Sequence, residues 1–134
     1  MHQKKEKIPE VSVKAVFKCG NKVLYQESGH IRDIPGGHIE FGETVLGALK
    51  RELQEELNYK LETEPCLLYA WSYTSRDKTA HKIYIVYVLN LENEIKFYSQ
   101  EDSSLKFIWL DKADIKSKKF LPEMEKLFIK AVNL

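Results

Sequence analysis

Three glutamates stand close together near the middle of the chain at a spacing that suits metal binding. Glu52, Glu55 and Glu56 occupy positions i, i+3 and i+4, so a helix would place their side chains within about 100° of arc. Carboxylates this close repel one another unless a cation compensates their charge. Oxygen ligands without Cys or His at ligand spacing are those that a hard cation such as Mg²⁺ prefers. The spacing therefore indicates either a magnesium site or a solvated acidic helix face.

Arg51 directly precedes this acidic cluster and affects its charge. It is adjacent to Glu52 and four residues before Glu55, so it is within reach of both on a helix. A guanidinium can neutralise part of the cluster or orient one carboxylate through a bidentate hydrogen bond. From these residues alone, an ordinary surface ion pair and a metal site remain open alternatives.

Glycines are concentrated just before the acidic cluster. Five of the six glycines lie between residues 29 and 47, and residues 34–44 include Gly36, Gly37 and Gly42. Glycine permits positive φ and lets main-chain groups approach a ligand closely, and a helix that follows offers its amino-terminal dipole. This segment is therefore expected to form a ligand-binding loop, although tight turns also use such glycines.

A helix over residues 44–58 is predicted to position the acidic cluster. Its leucines recur at intervals of three and four, which places them on one face. They are Leu46, Leu49, Leu53 and Leu57. The acidic cluster lies beside this apolar stripe, so the helix would pack its leucines on a core and leave the carboxylates at the margin.

Strands are predicted on both sides of this helix. Alternation from Val11 to Phe17, a turn at residues 19–21 and the apolar segment 23–25 predict an opening β-hairpin. Aromatic and β-branched runs at residues 67–73 and 83–91 predict two more strands joined by a polar turn. The second run is almost continuously apolar, which predicts burial on both of its faces.

The end of the chain predicts one more strand and two helical segments. Residues 105–110 read as a strand, and Asp111 is expected to cap a short helical turn that ends at Ile115. Pro122 suits the first turn of a terminal helix with an apolar stripe. The order β-β-α-β-β-β-α predicts an α/β protein of the α+β type, with a mixed sheet sandwiched between helices.

Length and composition favour a single domain spanning residues 1–134. The 21 basic residues nearly cancel the 20 acidic ones, so binding to nucleic acid is not expected. The longest apolar stretch, residues 83–89, is far shorter than the ~20 residues that cross a bilayer, and the first ten residues are too polar for a signal peptide. The two cysteines show no disulfide framework. We therefore expect a cytoplasmic protein without a membrane partner.

Residues 37–59 resemble the signature of the Nudix hydrolase family, G-x5-E-x7-R-E-U-x-E-E-x-G-U, where U is a bulky apolar residue. The chain supplies these fixed positions as Gly37, Glu43, Arg51, Glu52, Leu53, Glu55 and Glu56. Asn58 replaces the final glycine, and Tyr59 stands at the last apolar position. Asparagine is the second choice after glycine for a left-handed helix end, and neither change removes a charged group.

The resemblance implies the Nudix fold and a hydrolase that cleaves a pyrophosphate bond in a nucleoside diphosphate linked to another moiety, using Mg²⁺ or Mn²⁺ and an attacking water. By this resemblance, Glu55 and Glu56 are the principal metal ligands, helped by the carbonyl of Gly37. Glu52 ligates metal or acts as the base. The same likeness gives positioning roles to Arg51, which would hold Glu52, and to Glu43, which would support the metal shell or the loop.

The resemblance also points to residues around this core set. Gly36, Gly37 and His38 are expected to contact the substrate. Several family members use a further acidic residue before the last strand, and Glu101 or Asp102 is the candidate here, with a solvated loop acid as the alternative. Aromatic side chains are candidates for stacking on a nucleobase, although strand aromatics more often belong to the core. These aromatic residues are Phe41, Tyr69, Trp71, Tyr73 and Tyr84.

The substrate is the least determined part of the prediction. Many ADP-ribose pyrophosphatases of the family dimerise through an additional amino-terminal region, for which this chain has no room. That favours the compact type that acts on nucleoside triphosphates, including oxidised ones, as a monomer or homodimer. An ADP-ribose or NDP-sugar pyrophosphatase is the alternative, and a Nudix module that binds a nucleotide without turnover is the second alternative.

Overall fold

The computed structural model describes residues 7–29 and 31–134. In chain order, the elements are β1 (Glu10–Cys19), β2 (Lys22–Ser28), β3 (Ile31–Asp33), β4 (Gly36–His38), α1 (Val45–Leu57), β5 (Cys66–Thr74), β6 (His81–Asn90), β7 (Lys106–Leu110), α2 (Lys112–Ser117) and α3 (Pro122–Val132). This order confirms the predicted α+β class. It adds β3 and β4, which the sequence analysis did not predict because three residues are too few to show alternation.

All seven strands belong to one mixed sheet. Its central order is β3-β2-β1-β6-β5, while β4 pairs with β1 and β7 pairs with β2. β1 and β6 run parallel, from Glu10 opposite Lys82 to Lys18 opposite Asn90. The other pairings are antiparallel and include the two predicted pairs, β1–β2 and β5–β6. The sheet is therefore mixed, as predicted.

β1 and β2 separate soon after the turn that connects them. They pair only where Lys18 faces Val23 and Cys19 faces Lys22. Further along, β4 becomes the neighbour of β1 at residues 12–14, and β3 becomes the neighbour of β2 at residues 26–28. We call this separation of the two strands the β1–β2 divergence. It leaves β1 free to pair with β4, which brings Gly36 close to Val13 and Lys14.

Apolar cores lie on the two faces of the sheet. One core packs α1 through Ala48, Leu49, Leu53 and Leu57 against β1 residues Val13, Ala15 and Phe17. The other packs α3 through Leu127, Phe128 and Ala131 against Val16 of β1 and Val23 and Tyr25 of β2. Because successive side chains of a strand point to opposite faces, β1 contributes to both cores. The predicted sheet between helices is thus confirmed.

The burial of β6 follows from its central place in the sheet. Val86 and Val88 belong to the core on the α3 face, while Leu89 belongs to the core on the α1 face. Burial on both faces is therefore confirmed for the second half of the strand. Within residues 7–29 and 31–134, no helix combines the length and apolar character that a membrane crossing requires.

Local signals set the helix ends. The Thr44 hydroxyl accepts a hydrogen bond from the Gly47 amide at 3.0 Å, which caps α1. At the other end, Asn58 adopts the left-handed conformation with φ 53°, so α1 matches the predicted bounds. Asp111 caps α2 in a capping box, and α2 continues to Ser117, two residues beyond the predicted end. Pro122 is the first residue of α3, as predicted.

The left-handed end of α1 makes a stability prediction. Replacing Asn58 by alanine is expected to lower the free energy of unfolding by about 1 kcal/mol, because a Cβ without a local hydrogen bond is disfavoured at this φ. Asn58→Gly is expected to stay within about 0.5 kcal/mol of the wild type, because glycine adopts the conformation freely. Urea unfolding monitored by circular dichroism measures both. Equal stability of the two variants would contradict the prediction.

Candidate active site

β4 places two glycines where side chains do not fit. A Cβ on Gly36, which has φ +140°, would collide with the main-chain carbonyl oxygen of Val13 and with the Cα of Lys14. A Cβ on Gly37 would collide with the carboxylate of Glu52. The main chain of β4 therefore lies directly against β1 and against a carboxylate of α1. Glycine is required at both positions for this close approach.

The Arg51 guanidinium lies at the centre of the carboxylates. Its Nε and Nη2 donate to the two oxygens of Glu43, each at 2.8 Å. Nη1 donates to Glu52 at 2.9 Å and to Glu55 at 3.3 Å. Nη2 also donates to the carbonyl oxygen of His38 at 3.0 Å. One cation thus compensates three carboxylates and links α1 to β4 and to the loop that follows it.

Glu43 is held in its ionised form by these contacts. Besides Arg51, its carboxylate accepts a hydrogen bond from the Glu40 amide at 2.9 Å. The Arg51 hydrogen bonds, followed by the Glu40 amide, lower the pKa of Glu43 from 4.5 to about 2. The contact with Glu43 in turn raises the pKa of the Arg51 guanidinium above its usual value. The pair is therefore fully ionised throughout the neutral range.

Glu56 has a different environment, at the β1–β2 divergence. Its Oε2 accepts a hydrogen bond from the Gly36 amide at 3.4 Å. Burial raises the pKa of Glu56, and the negative charge of Glu52 adds to this shift. The Gly36 amide, the Gln26 carboxamide and the positive charge of Lys14 oppose it, in that order. Glu56 is thus a partly desolvated carboxylate within reach of β1, β2 and β4.

The donor set of the acidic cluster fits a hard divalent cation. Glu52, Glu55, Glu56 and the Gly37 carbonyl offer oxygen atoms only. In the part of the chain that the structure describes, no three His, Cys, Asp or Glu side chains are arranged to hold a metal ion. The reason is visible in the contacts of Arg51, which turn Glu52 and Glu55 toward the guanidinium. Glu55 is half exposed, so its carboxylate has room to reorient.

The remaining predicted residues lie around this cluster. The His38 carbonyl binds Arg51, while its imidazole Nε2 lies 3.7 Å from the Glu10 carboxylate. The loop before β7 contacts the last turn of α1, because the Gln100 amide donates to the Glu56 carbonyl at 2.8 Å. Glu101 follows Gln100 directly, so the chain places Glu101 next to the acidic helix.

The two candidate acids of this loop differ in their contacts. The Asp102 carboxylate accepts hydrogen bonds from the Ser104 amide at 2.9 Å and the Ser104 hydroxyl at 2.6 Å, and these bonds lower its pKa. Among the residues described, the exposed Glu101 carboxylate has no hydrogen-bond or ion-pair partner. Asp102 is therefore engaged in its own turn, whereas the Glu101 carboxylate is not.

A cavity of about 370 Å³ opens on the α3 side of the sheet. Trp71 of β5 and Tyr84 of β6 form one wall as cross-strand neighbours, with ring centroids 4.9 Å apart. Lys14 and Asp33 form another wall, joined by an ion pair of 3.0 Å. Gly36 links this wall to the acidic cluster, because its Cα faces the Lys14 side chain closely enough to exclude a Cβ and its amide donates to Glu56 at 3.4 Å.

The aromatic residues considered for base stacking are distributed unequally around this cavity. Trp71, Tyr73 and Tyr84 line it, and Tyr69 stacks on Trp71 with centroids 5.7 Å apart. Phe41 is fully exposed in the loop after β4. The sequence analysis missed Lys14 and Gln26. The available signal was that each is a polar residue within or directly after a run of apolar strand residues.

The low pKa of Glu43 leads to a pH prediction. A depressed pKa means that the Arg51–Glu43 pair contributes its full stabilisation above pH 4.5 and loses it as the pH falls through about 2. Carbonyl-detected NMR is expected to give a Glu43 titration midpoint near 2, and Arg51→Gln is expected to move it toward 4.5. A wild-type midpoint above 4 would contradict the pairing.

Comparison with known proteins agrees with this architecture. A domain described as the NUDIX domain matches residues 8–131. The crystal structure of a MutT NUDIX hydrolase from Burkholderia pseudomallei superposes with a TM-score of 0.75 at 20% identity, covering 94% of this chain and 99% of the other. The NUDIX domain of Shewanella oneidensis NrtR, solved in complex with ADP ribose, also gives 0.75 at 20% identity, covering 96% and 89%.

One relative is closer in sequence. An ADP-ribose pyrophosphatase from Methanocaldococcus jannaschii is 33% identical over 88 residues, which are 62% of this chain and 52% of that protein. The chain thus spans about half the length of the curated relative that it matches. The NUDIX match covers every strand of the described sheet and the whole of α1. The chain therefore belongs to the NUDIX domain family.

Proposed function

We propose that the protein is a divalent-cation-dependent pyrophosphohydrolase that cleaves the diphosphate of ADP-ribose or of a related NDP-sugar. The observation that carries this proposal is the acidic cluster of α1 beside Gly36 and Gly37, with Arg51 compensating its charge. Three carboxylates on one helix face repel one another at a cost in stability. A protein that only binds a nucleotide has no need of such a cluster.

The metal-binding role falls to the oxygen ligands of this cluster. We assign it to Glu52, Glu55 and Glu56, with the Gly37 carbonyl, and to Glu101 from the loop before β7. Mg²⁺ is the expected ion and Mn²⁺ a substitute, because both accept carboxylate and carbonyl oxygens. When bound, the ion offsets the negative charge of the diphosphate and favours attack by water at phosphorus.

The contacts of Arg51 suggest how the chain accommodates the ion. Arg51 binds Glu43 through two donors but shares Nη1 between Glu52 and Glu55. Glu52 and Glu55 can therefore turn away while Glu43 keeps the guanidinium in place. In the reaction, Glu52 either binds the ion or takes the proton from the attacking water. Cleavage of the P–O–P bridge of ADP-ribose would yield AMP and ribose 5-phosphate.

The substrate assignment follows the relatives rather than the expectation from chain length. The sequence analysis favoured nucleoside triphosphates on the basis of chain length. The relative that is 33% identical is nevertheless an ADP-ribose pyrophosphatase, and a bifunctional NMN adenylyltransferase/ADP ribose pyrophosphatase from Francisella tularensis has a similar fold. Both support the reading that had been the alternative.

The cavity beside Lys14 suits the nucleoside end of such a substrate. Its volume of about 370 Å³ falls within the usual range of ligand pockets. The stacked pair Trp71 and Tyr84 offers an aromatic surface for a base. Lys14, on another wall of the cavity, also lies against Gly36, whose amide donates to Glu56, and this suits a diphosphate that joins the nucleoside to the metal-binding residues. Gly36, Gly37 and His38 border the same end of the acidic cluster and are proposed to contact the phosphates.

Replacing Glu52 by glutamine tests the catalytic assignment. Glu52→Gln removes the negative charge but keeps the shape of the side chain, so turnover of ADP-ribose is expected to fall about 10²–10⁴-fold without unfolding. Activity is measured by chromatographic separation of AMP from ADP-ribose, with and without excess EDTA. Glu62→Gln, an exposed position beyond α1, is the matched control. Wild-type turnover in Glu52→Gln, or full activity in EDTA, would contradict the mechanism.

A substrate panel tests the assignment of ADP-ribose. With Mg²⁺, kcat/KM for ADP-ribose or an NDP-sugar is expected to exceed that for canonical and oxidised nucleoside triphosphates by about 10-fold or more, which is about 1.4 kcal/mol. The triphosphate reactions are followed with pyrophosphatase and the others with alkaline phosphatase. A reversed preference would restore the triphosphate assignment. A folded protein that binds Mn²⁺ but cleaves no member of the panel would support a binding module.

A further inference from the structure

Gln26 is a buried polar residue in an apolar part of β2. The residue is 8% exposed, and the three preceding residues of the strand, Val23, Leu24 and Tyr25, are fully buried. Because strand residues alternate between faces, Gln26 shares its face with Leu24, which packs in the core beneath α1. The carboxamide therefore lies on the side of the sheet that carries the acidic helix.

The Gln26 carboxamide lies near Glu56 and keeps one polar atom unpaired. The side chain lowers the pKa of the Glu56 carboxyl, and Gln26 pairs across the strands with Asp33, three residues before Gly36, whose amide donates to Glu56 at 3.4 Å. The carbonyl oxygen, Oε1, is buried and has no hydrogen-bond partner among the residues described. Leaving a buried acceptor unpaired costs stability, and native structures seldom keep one without a reason. A bound ligand is therefore expected to supply the hydrogen-bond donor for this oxygen.

The position of Gln26 limits which ligand can supply that donor. Gln26 lies at the β1–β2 divergence, where Glu56 also accepts a hydrogen bond from Gly36 at 3.4 Å. Phosphate oxygens of an ionised diphosphate are acceptors, so they cannot pair with Oε1. The carboxylates Glu52 and Glu56 attract a cation, and a hard cation such as Mg²⁺ retains several water molecules when it binds. Those waters are donors of the required kind.

We propose that Gln26 is a positioning residue of the cation site: its side chain lies beside Glu56, and its carbonyl oxygen accepts a hydrogen bond from a water molecule that the hydrated cation retains. The proposal rests on the proposed function, because it takes Glu56 as a metal ligand. Groups that orient a metal ligand commonly matter almost as much as the ligand itself. Gln26 would then be part of the site although it lies outside the Nudix signature.

The test measures cation binding directly. Gln26→Met keeps the size of the side chain and removes both polar atoms, so the Mn²⁺ dissociation constant is expected to rise about 10-fold. Free Mn²⁺ is quantified by electron paramagnetic resonance without substrate. Urea unfolding without metal is expected to show unchanged or increased stability, because the unpaired oxygen is gone. Gln54→Met, an exposed position on α1, is the matched control and is expected to bind Mn²⁺ like the wild type.

A second variant keeps the test open if the methionine variant does not fold. Gln26→Asn retains a carboxamide but shortens its reach by one methylene, and the same loss of Mn²⁺ affinity is expected. Wild-type Mn²⁺ affinity in a folded Gln26 variant, with or without reduced stability, would overturn the positioning role. If Glu52→Gln still weakened Mn²⁺ binding in that case, the proposed function would stand. A wild-type protein that binds no Mn²⁺ would overturn both proposals.

Discussion

The compensation of crowded carboxylates by the Arg51 guanidinium is the interaction on which the rest of this site depends. Without it, Glu43, Glu52 and Glu55 would repel one another across the space between α1 and the loop before it. Its bidentate contact with Glu43 and its bond to the His38 carbonyl also fix the path of the chain from β4 to α1. The same side chain thus sets both the electrostatics and the local geometry.

The second constraint is steric, and it explains why glycine is found where it is. Gly36 and Gly37 allow β4 to lie between Val13 of β1 and Glu52 of α1 at distances that exclude any Cβ. This close approach is possible only because β1 and β2 separate, which leaves β1 free to pair with β4. The pairing of β4 with β1 and the close approach of the β4 main chain to the Glu52 carboxylate therefore both follow from the β1–β2 divergence.

Sequence reasoning succeeded where the determining interactions are local. The leucine periodicity predicted α1, and Asn58 was the expected left-handed end of the helix, since both signals act within a few residues. It missed β3 and β4, because short strands that contain glycine or follow it closely show no alternation and exist through their pairing partners. The surroundings of Lys14 and Gln26 depend on strands far apart in the chain, so no local pattern could place them beside Glu56.

Lys14 couples the cavity on the α3 side of the sheet to the acidic cluster of α1. Its ammonium pairs with Asp33 on the wall of the cavity and also acts on Glu56 at the acidic cluster. A ligand in the cavity that drew Lys14 or Asp33 toward itself would change the field at Glu56. Linkage then requires the reverse effect with equal free energy, so that a charge bound at Glu56 alters affinity in the cavity. One lysine would make the two halves of the site thermodynamically cooperative without any movement of the fold.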